Sequence, residues 1–481
     1  MKAVFVTIAL ALSATFAAGA QTLIHHAASS NAAAQAAFDR GLLDYYAYNP
    51  EAAEHEFYTA ADLDTHMAMA YWGIALSNAP NLNVDATDDR DEQAREAIQQ
   101  AKALERYASA EDRALIDAAA ARFDAKPKTS PDALLVNYRD ALRRIALAYP
   151  DDPDAAALYA EAALYVAFGH GGRGVTVAQR AARVARVAAL LPLFQADLAN
   201  FPQHVGLLHF YIHAAQMAGN SQAAVTTARR LAAFNLPSED SHLTHMPGHT
   251  FFDVGLYEEA LNVGERSVAM DFAAFACCHP GYYSAPRYYH DHNVDFLLYA
   301  LTETGHLSEA ITVARREDDP VFIARQLVAD RQWRDVLALP YTKGTTGTMP
   351  FARGLAYVKL GNIALARESL GDIPKHPDDP YAAALYDAMR ATLEAEIALS
   401  SHDDAAALTL LTRASAAASV AKGLGEETPG LYYYSPHMAL AQLALRLGKR
   451  DVARLALQAE LTASPRSPAA TAALAQLATS H

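Results

Sequence analysis

His209-Phe-Tyr-Ile-His-Ala-Ala-Gln-Met-Ala-Gly-Asn-Ser-Gln-Ala-Ala224 and His245-Met-Pro-Gly-His-Thr-Phe-Phe-Asp-Val-Gly-Leu-Tyr-Glu-Glu-Ala260 align position by position. Each stretch carries two histidines spaced i,i+4, a glycine ten residues after the first histidine, and an alanine five residues after the glycine. Glycine takes the left-handed backbone that closes a helix without a Cβ penalty, and a small alanine lets the following helix approach closely. The glycine–alanine spacing returns as Gly305/Ala310, Gly361/Ala366 and Gly448/Ala453. Near the N-terminus Gly41, Ala53, Phe57 and Ala60 fit other positions of the same unit. The unit is a helix–turn–helix of about 34 residues, repeated along the chain. Its glycines lie 36, 50, 56 and 87 residues apart, so copies are interrupted by insertions or have degenerated.

The fold class that follows is all-α, a tetratricopeptide-type α-solenoid in which helix–turn–helix repeats stack into a superhelix. Composition agrees: the chain is alanine-rich, 52% hydrophobic and poor in β-branched runs, which favours helix. Breakers fall between the units. Asn78 to Asp89 is a long polar connection, and Leu236-Pro-Ser-Glu-Asp-Ser241 joins two repeats. Tyr149-Pro-Asp-Asp-Pro-Asp154 reads as a helix start with acids near the positive end of the dipole. Tyr341 to Thr348 is a turn-rich join. The sequence shows no GxGxxG after a strand, no Walker A motif and no GxSxG, and the glycine-rich stretch beginning at His170 reads as a loop. The expected organisation is a leader over 1–20, N-terminal repeats over 21–200, central histidine-rich repeats over 201–335 and C-terminal repeats over 336–481.

The first twenty residues run from Lys2 through an apolar core to Ala18-Gly19-Ala20, the pattern of a secretory signal peptide with a small-x-small cleavage site. A periplasmic or secreted protein starting at Gln21 is expected. Beyond the leader no apolar run reaches the ~18 residues of a membrane span. Loss of Lys2 takes the formal charge from −15 to −15 − 1 = −16. With only nine lysines, such an acidic chain is a poor partner for nucleic acid or an anionic membrane. Two cysteines, Cys277 and Cys278, are adjacent, which leaves a thiol pair, a strained vicinal disulfide or metal ligation open and rules out a disulfide framework.

Nine of the nineteen histidines fall between residues 204 and 292. If Gly219, Gly255 and Gly305 are each position 15 of a repeat, His209 and His245 occupy position 5 and His213 and His249 position 9. His242 and His292 both occupy position 2, and Asp295 is position 5 of the third repeat. These positions share one face of the first helix of each repeat, the face that lines the concave wall of a solenoid. Packed helices lie about 8–10 Å apart and i,i+4 Cβ atoms about 6 Å apart, so imidazoles from neighbouring repeats reach one ion at about 2 Å per bond. His209, His213, His245 and His249 are therefore the expected core ligands, joined by His242, His292 and Asp295. Gln216, Tyr211 and His204 are placed to support them by hydrogen bonds, as are Tyr282, Tyr283, Tyr288 and Tyr289. Pro247-Gly248 inside the second pair suggests that His242 and His245 precede the helix proper. Nitrogen donors point to zinc, copper or iron rather than calcium or magnesium. His25, His26, His55, His66, His376, His402, His437 and His481 read as surface or packing residues.

Several segments together resemble a family of bacterial, mostly exported tetratricopeptide-repeat proteins marked by paired histidines. They are Ala68-Met-Ala-Tyr-Trp-Gly-Ile-Ala-Leu76 with Pro80-Asn-Leu-Asn83, Tyr149 to Ala155, Pro202-Gln-His-Val-Gly-Leu-Leu-His-Phe-Tyr-Ile-His213, His242-Leu-Thr-His-Met-Pro-Gly-His249 and His292-Asn-Val-Asp-Phe-Leu297. The resemblance covers most of the chain after the leader and implies the same fold and the same site location. It also implies three departures: Gln216 where glutamate is usual, Asp295 where histidine is frequent, and Gly248 where serine is common.

Two functions of different class fit these residues. One is a transition-metal protein whose concave site performs metal-activated water or oxygen chemistry on a small molecule or peptide, with hydrolysis and oxidation both open. The other is a peptide- or protein-binding scaffold whose histidines shape the groove without metal or catalysis, because fold alone assigns no function. Periplasmic metal storage or delivery is a third.

Overall fold

At each repeat glycine the backbone does what the spacing requires. Gly219, Gly255, Gly305, Gly361 and Gly448 all have positive φ, between 66° and 84°. At each, two backbone N–H groups reach back to the carbonyls left over at the helix end, as in Gly219 to Gln216 at 2.8 Å and Asn220 to Ala215 at 2.8 Å. The alanine five residues on is buried in every case.

The same turn also occurs without glycine. Tyr48, Arg331 and His402 sit at φ 54°, 57° and 60° with the same pair of returning hydrogen bonds. Each is followed five residues later by a fully buried small or branched residue: Ala53, Val336 and Ala407. The long glycine intervals thus contain repeats whose closing glycine has been replaced, at about 1 kcal/mol or more of backbone strain per turn.

The computed structural model describes residues 26–83, 87–123, 130–169, 175–277, 284–344, 347–375, 377–424 and 433–479. The leader 1–20, His25, the stretch 170–174, Cys278, His279, Tyr282, Tyr283, His376 and His481 lie outside them. Among the described residues the chain forms α-helices joined by short 3₁₀ turns and loops, with no strand, and no helix is long and apolar enough to cross a membrane. The fold is an all-α solenoid of antiparallel helix pairs. Successive helices pack on each other, and first helices of consecutive repeats pack side by side: Val205–Met217 on Ser241–Asp253, then Ser241–Asp253 on Ser284–Glu303.

Helix starts follow local chemistry. Asp152 accepts from the N–H groups of Asp154 and Ala155 with Pro153 in the first turn, so the Pro153–Phe168 helix begins where the acids predict. The two ends of the solenoid close on its middle. The Ala32–Tyr46 helix packs on Val205–Met217. At the other end Tyr257 Oη donates to the Pro465 carbonyl at 2.8 Å, and the Tyr299 and Ser464 hydroxyls lie 2.7 Å apart. This closure buries the central first helices on a side that an open solenoid would leave to solvent.

Candidate metal centre

The six predicted histidines come together in two groups of three. His209, His213 and His242 form one, His245, His249 and His292 the other, and within each the nearest ring nitrogens lie within 4.8 Å of one another. The two groups are built alike. Positions 5 and 9 of one first helix meet position 2 of the next, and the next repeat makes the same junction again. The ring nitrogens thus gather by threes rather than as the set of four, His209, His213, His245 and His249, expected as core ligands from sequence. His242 and His292, ranked behind those four by sequence, are full members.

The lead-in expected around Pro247 is also different. A 3₁₀ turn, Ser238–Asp240, precedes the helix, and Ser241–Asp253 carries His242, His245 and His249 on continuous α-helix with Pro247 inside it. Proline removes one N–H from the ladder, a loss the surrounding packing tolerates. The start of this helix is clasped to the N-terminal repeat. Arg40 pairs with Glu239 at 2.7 Å and lies 3.7 Å from Asp240, while Asn49 donates to the Glu239 carbonyl at 3.1 Å. Burial, then the other's charge, pushes the Asp44 carboxyl well up, and burial raises its neighbour Asp240.

The rings are packed and largely buried. His209, His213 and His249 are fully buried, and His242 and His245 nearly so. In the second group His245 Nε2 lies 2.9 Å from His249 Nε2, and His292 Nε2 3.3 Å from His249 Nε2. The groups touch each other: His213 and His249 ring centroids are 6.4 Å apart and those of His242 and His245 6.3 Å, the same as His213 to His242 within the first group. Tyr48 covers the first group, its ring 4.8 Å from His209 and stacked at 6.1 Å on His242. Tyr289 stacks on His242 at 4.1 Å and accepts from Asn83. Phe296 packs on His245, His249 and His292 at 4.6–4.8 Å.

Burial governs the protonation of these rings. It pushes His209 down to about 3, against a hydrogen bond that raises it, and His292 down to about 4. His213, His242, His245 and His249 fall well below the ordinary range, first through burial and then through neighbouring imidazoles. All six are neutral at physiological pH, the state in which imidazole binds metal. His209 Nδ1–H donates to the Tyr46 carbonyl at 2.7 Å, which fixes the tautomer and leaves Nε2 bare toward the group. That Nε2, both nitrogens of His242 and Nδ1 of His249 are buried with no hydrogen-bond partner among the described residues. Each such atom costs about 1–3 kcal/mol until something ligates it.

The remaining predicted residues take other places. Asp295 is paired with Arg325 and belongs to neither group. His204 caps its helix through Nδ1, which accepts from Leu207 N–H, and its Nε2–H donates to Asp154 at 2.9 Å. It packs edge-on against the ring of Tyr46, whose carbonyl accepts from His209. The same two donors, His204 and the Tyr46 hydroxyl, hold Asp154 down at about 2 although burial alone would raise it. Tyr211 packs on Phe194 and accepts from Gln195, away from the histidines. Tyr288 is exposed. Gln216 lines a cavity of about 890 Å³ with Phe252, Phe296, Tyr299, Arg180 and Lys422, so Phe296 divides this cavity from the second group.

Sequence reasoning missed Tyr46, Tyr48 and Phe296. Gly206 holds the one available signal: it occupies position 2 of the first histidine repeat, and a Cβ there would meet the Tyr46 ring at 2.7 Å. His26, read as surface or packing, is buried between Asp112 at 2.8 Å and Asp152 at 3.3 Å.

No family model matches the sequence, and no curated protein does. Among solved structures, human IFIT1 in its dimer with m7Gppp-AAAA is 11% identical over 85% of this chain and 89% of that one, at a TM-score of 0.37. The TPR domain of P58(IPK) is 10% identical over 92% and 97%, at 0.24. A chain of the APC/C hetero-tetramer Cut9-Hcn1 is 14% identical over 92% and 90%, at 0.26. Similarity at this level carries no argument about ligand or activity.

Proposed function

We propose that this chain is an exported helical-repeat protein that binds a transition metal, zinc, copper or iron, through its paired-histidine groups. The observation that carries the reading is the gathering of six imidazoles by threes, five of them buried, with His209 Nε2, both nitrogens of His242 and His249 Nδ1 left without a hydrogen-bond partner among the described residues. Packing alone gives no reason to bury the unpartnered nitrogens of His209, His242 and His249. A metal supplies the missing partner for several of them at once. The cavity on the far side of Phe296 gives a small molecule or peptide a place one side chain away from the second group, which suits a metal-dependent enzyme in which Phe296 gives way to such a substrate.

Elemental analysis of protein exported with its own leader and purified without added metal tests the reading. Bound transition metal in the wild type, lost in the His209→Ala/His245→Ala double variant with helical content retained, supports it. Metal-free protein that captures a partner equally well after His209→Ala supports the scaffold instead.

A further inference from the structure

Resting on that reading, we propose that the chamber takes two ions, one per group of three, and that the pair it suits is monovalent copper.

The count follows from the repeat. Each group uses positions 5 and 9 of one first helix and position 2 of the next, so whatever geometry makes the first junction a ligand set makes the second one too. Three nitrogens around one ion at about 2 Å stand roughly 3.5 Å apart in a trigonal plane. In the second group His249 Nε2 stands 2.9 Å from His245 Nε2 and 3.3 Å from His292 Nε2, and in both groups the ring nitrogens lie within 4.8 Å of one another, so modest ring movements admit an ion. The series stops on both sides for visible reasons. At position 5 of the following repeat stands Asp295, bound by Arg325, and at position 2 of the first histidine repeat stands Gly206, against which Tyr46 is pressed.

The charge follows from the surroundings. The ligands are six imidazoles, and the aromatic side chains packed on them, Tyr48, Phe210, Tyr289 and Phe296, bring no negative charge of their own. The solvation penalty of a buried ion rises with the square of its charge, so two dications cost about four times as much as two monocations here. Zinc bound by three histidines also needs a fourth ligand, normally water, to which the first group, its rings at most 4% exposed, gives little access. Copper is at home on imidazole, and its monovalent ion accepts three donors without a counter-charge.

Anaerobic titration of the metal-free protein with Cu(I) against a chromogenic Cu(I) chelator tests this, with Zn(II) titrated separately. The expected result is two tight equivalents of Cu(I) and weaker uptake of Zn(II). His242→Gln and His292→Gln, checked for unchanged helical content and melting, are each expected to keep one tight equivalent. One equivalent in the wild type, abolished by either variant, means a single shared ion and overturns the two-ion proposal while leaving metal binding intact. Two equivalents with Zn(II) held as tightly as Cu(I) overturn the charge argument. No uptake of either ion defeats the proposed function itself.

Discussion

At the scale of single residues, the centre is held together by side chains that set what an imidazole nitrogen can do. The Tyr46 carbonyl fixes the His209 tautomer, Tyr48 and Tyr289 close over the first group, and Phe296 walls the second. Keeping these rings neutral has a pH consequence. His209 and His292 are neutral when folded, at about 3 and about 4, but in the unfolded chain they regain the ordinary value of 6.5. A base depressed in this way contributes stability that is present above 6.5 and lost as pH falls toward the folded values. At pH 5 the loss is about 2 kcal/mol for each of the two rings. Denaturant melts of metal-free protein at pH 7.5 and pH 5 are expected to show at least that drop. A smaller drop in a His209→Phe/His292→Phe variant would tie that share of it to these residues, and an unchanged midpoint across the range would contradict their burial as neutral rings.

At the scale of helices and turns, the closing glycines differ in what surrounds them. Nothing lies within 4 Å of a Cβ built on Gly219, whereas one built on Gly255 would meet the Pro465 carbonyl oxygen at 2.3 Å. Gly219→Ala is therefore expected to cost only the left-handed backbone penalty, about 1–2 kcal/mol. Gly255→Ala should cost clearly more, because it also pushes the C-terminal repeat off the helix that carries His242, His245 and His249. Equal losses in thermal melts would show that the contact at Pro465 carries no weight.

The repeat was legible in the sequence wherever glycine closed it, and so were the histidine positions, since both are periodic. Tyr48, Arg331 and His402 escaped because a left-handed turn held by packing leaves no residue signature. The division into two groups escaped for a related reason. Positions 5 and 9 announce a pair on one helix, but only the offset between neighbouring helices decides that position 2 completes each pair. Asp295 was placed by the same numbering and is claimed by Arg325, a residue from the next repeat that no helical period points to.

At the scale of the whole molecule, the N-terminal repeat acts as a cover over the central helices, tied by Arg40 to Glu239 and, further back, by His26 to its acids. Burial opposes charge on His26, yet hydrogen bonds to Asp112 and Asp152 raise it to about 10. A base raised in this way contributes stability that is full below 6.5 and lost as pH rises through about 10. Limited proteolysis near residue 26 is expected to accelerate between pH 8 and pH 10.5, roughly the span in which this ring discharges. The acceleration should vanish in His26→Ala, which is already loosened at pH 8. A cleavage rate indifferent to pH would remove His26 from the tether.

The most direct measurement of the central claim is an anomalous difference map from a crystal of the metal-loaded chain, collected across the absorption edge of the bound element. The account predicts two peaks, one at bonding distance from His209, His213 and His242 and one from His245, His249 and His292. A map with no peak among these six rings, or with metal bound only elsewhere on the surface, would contradict it.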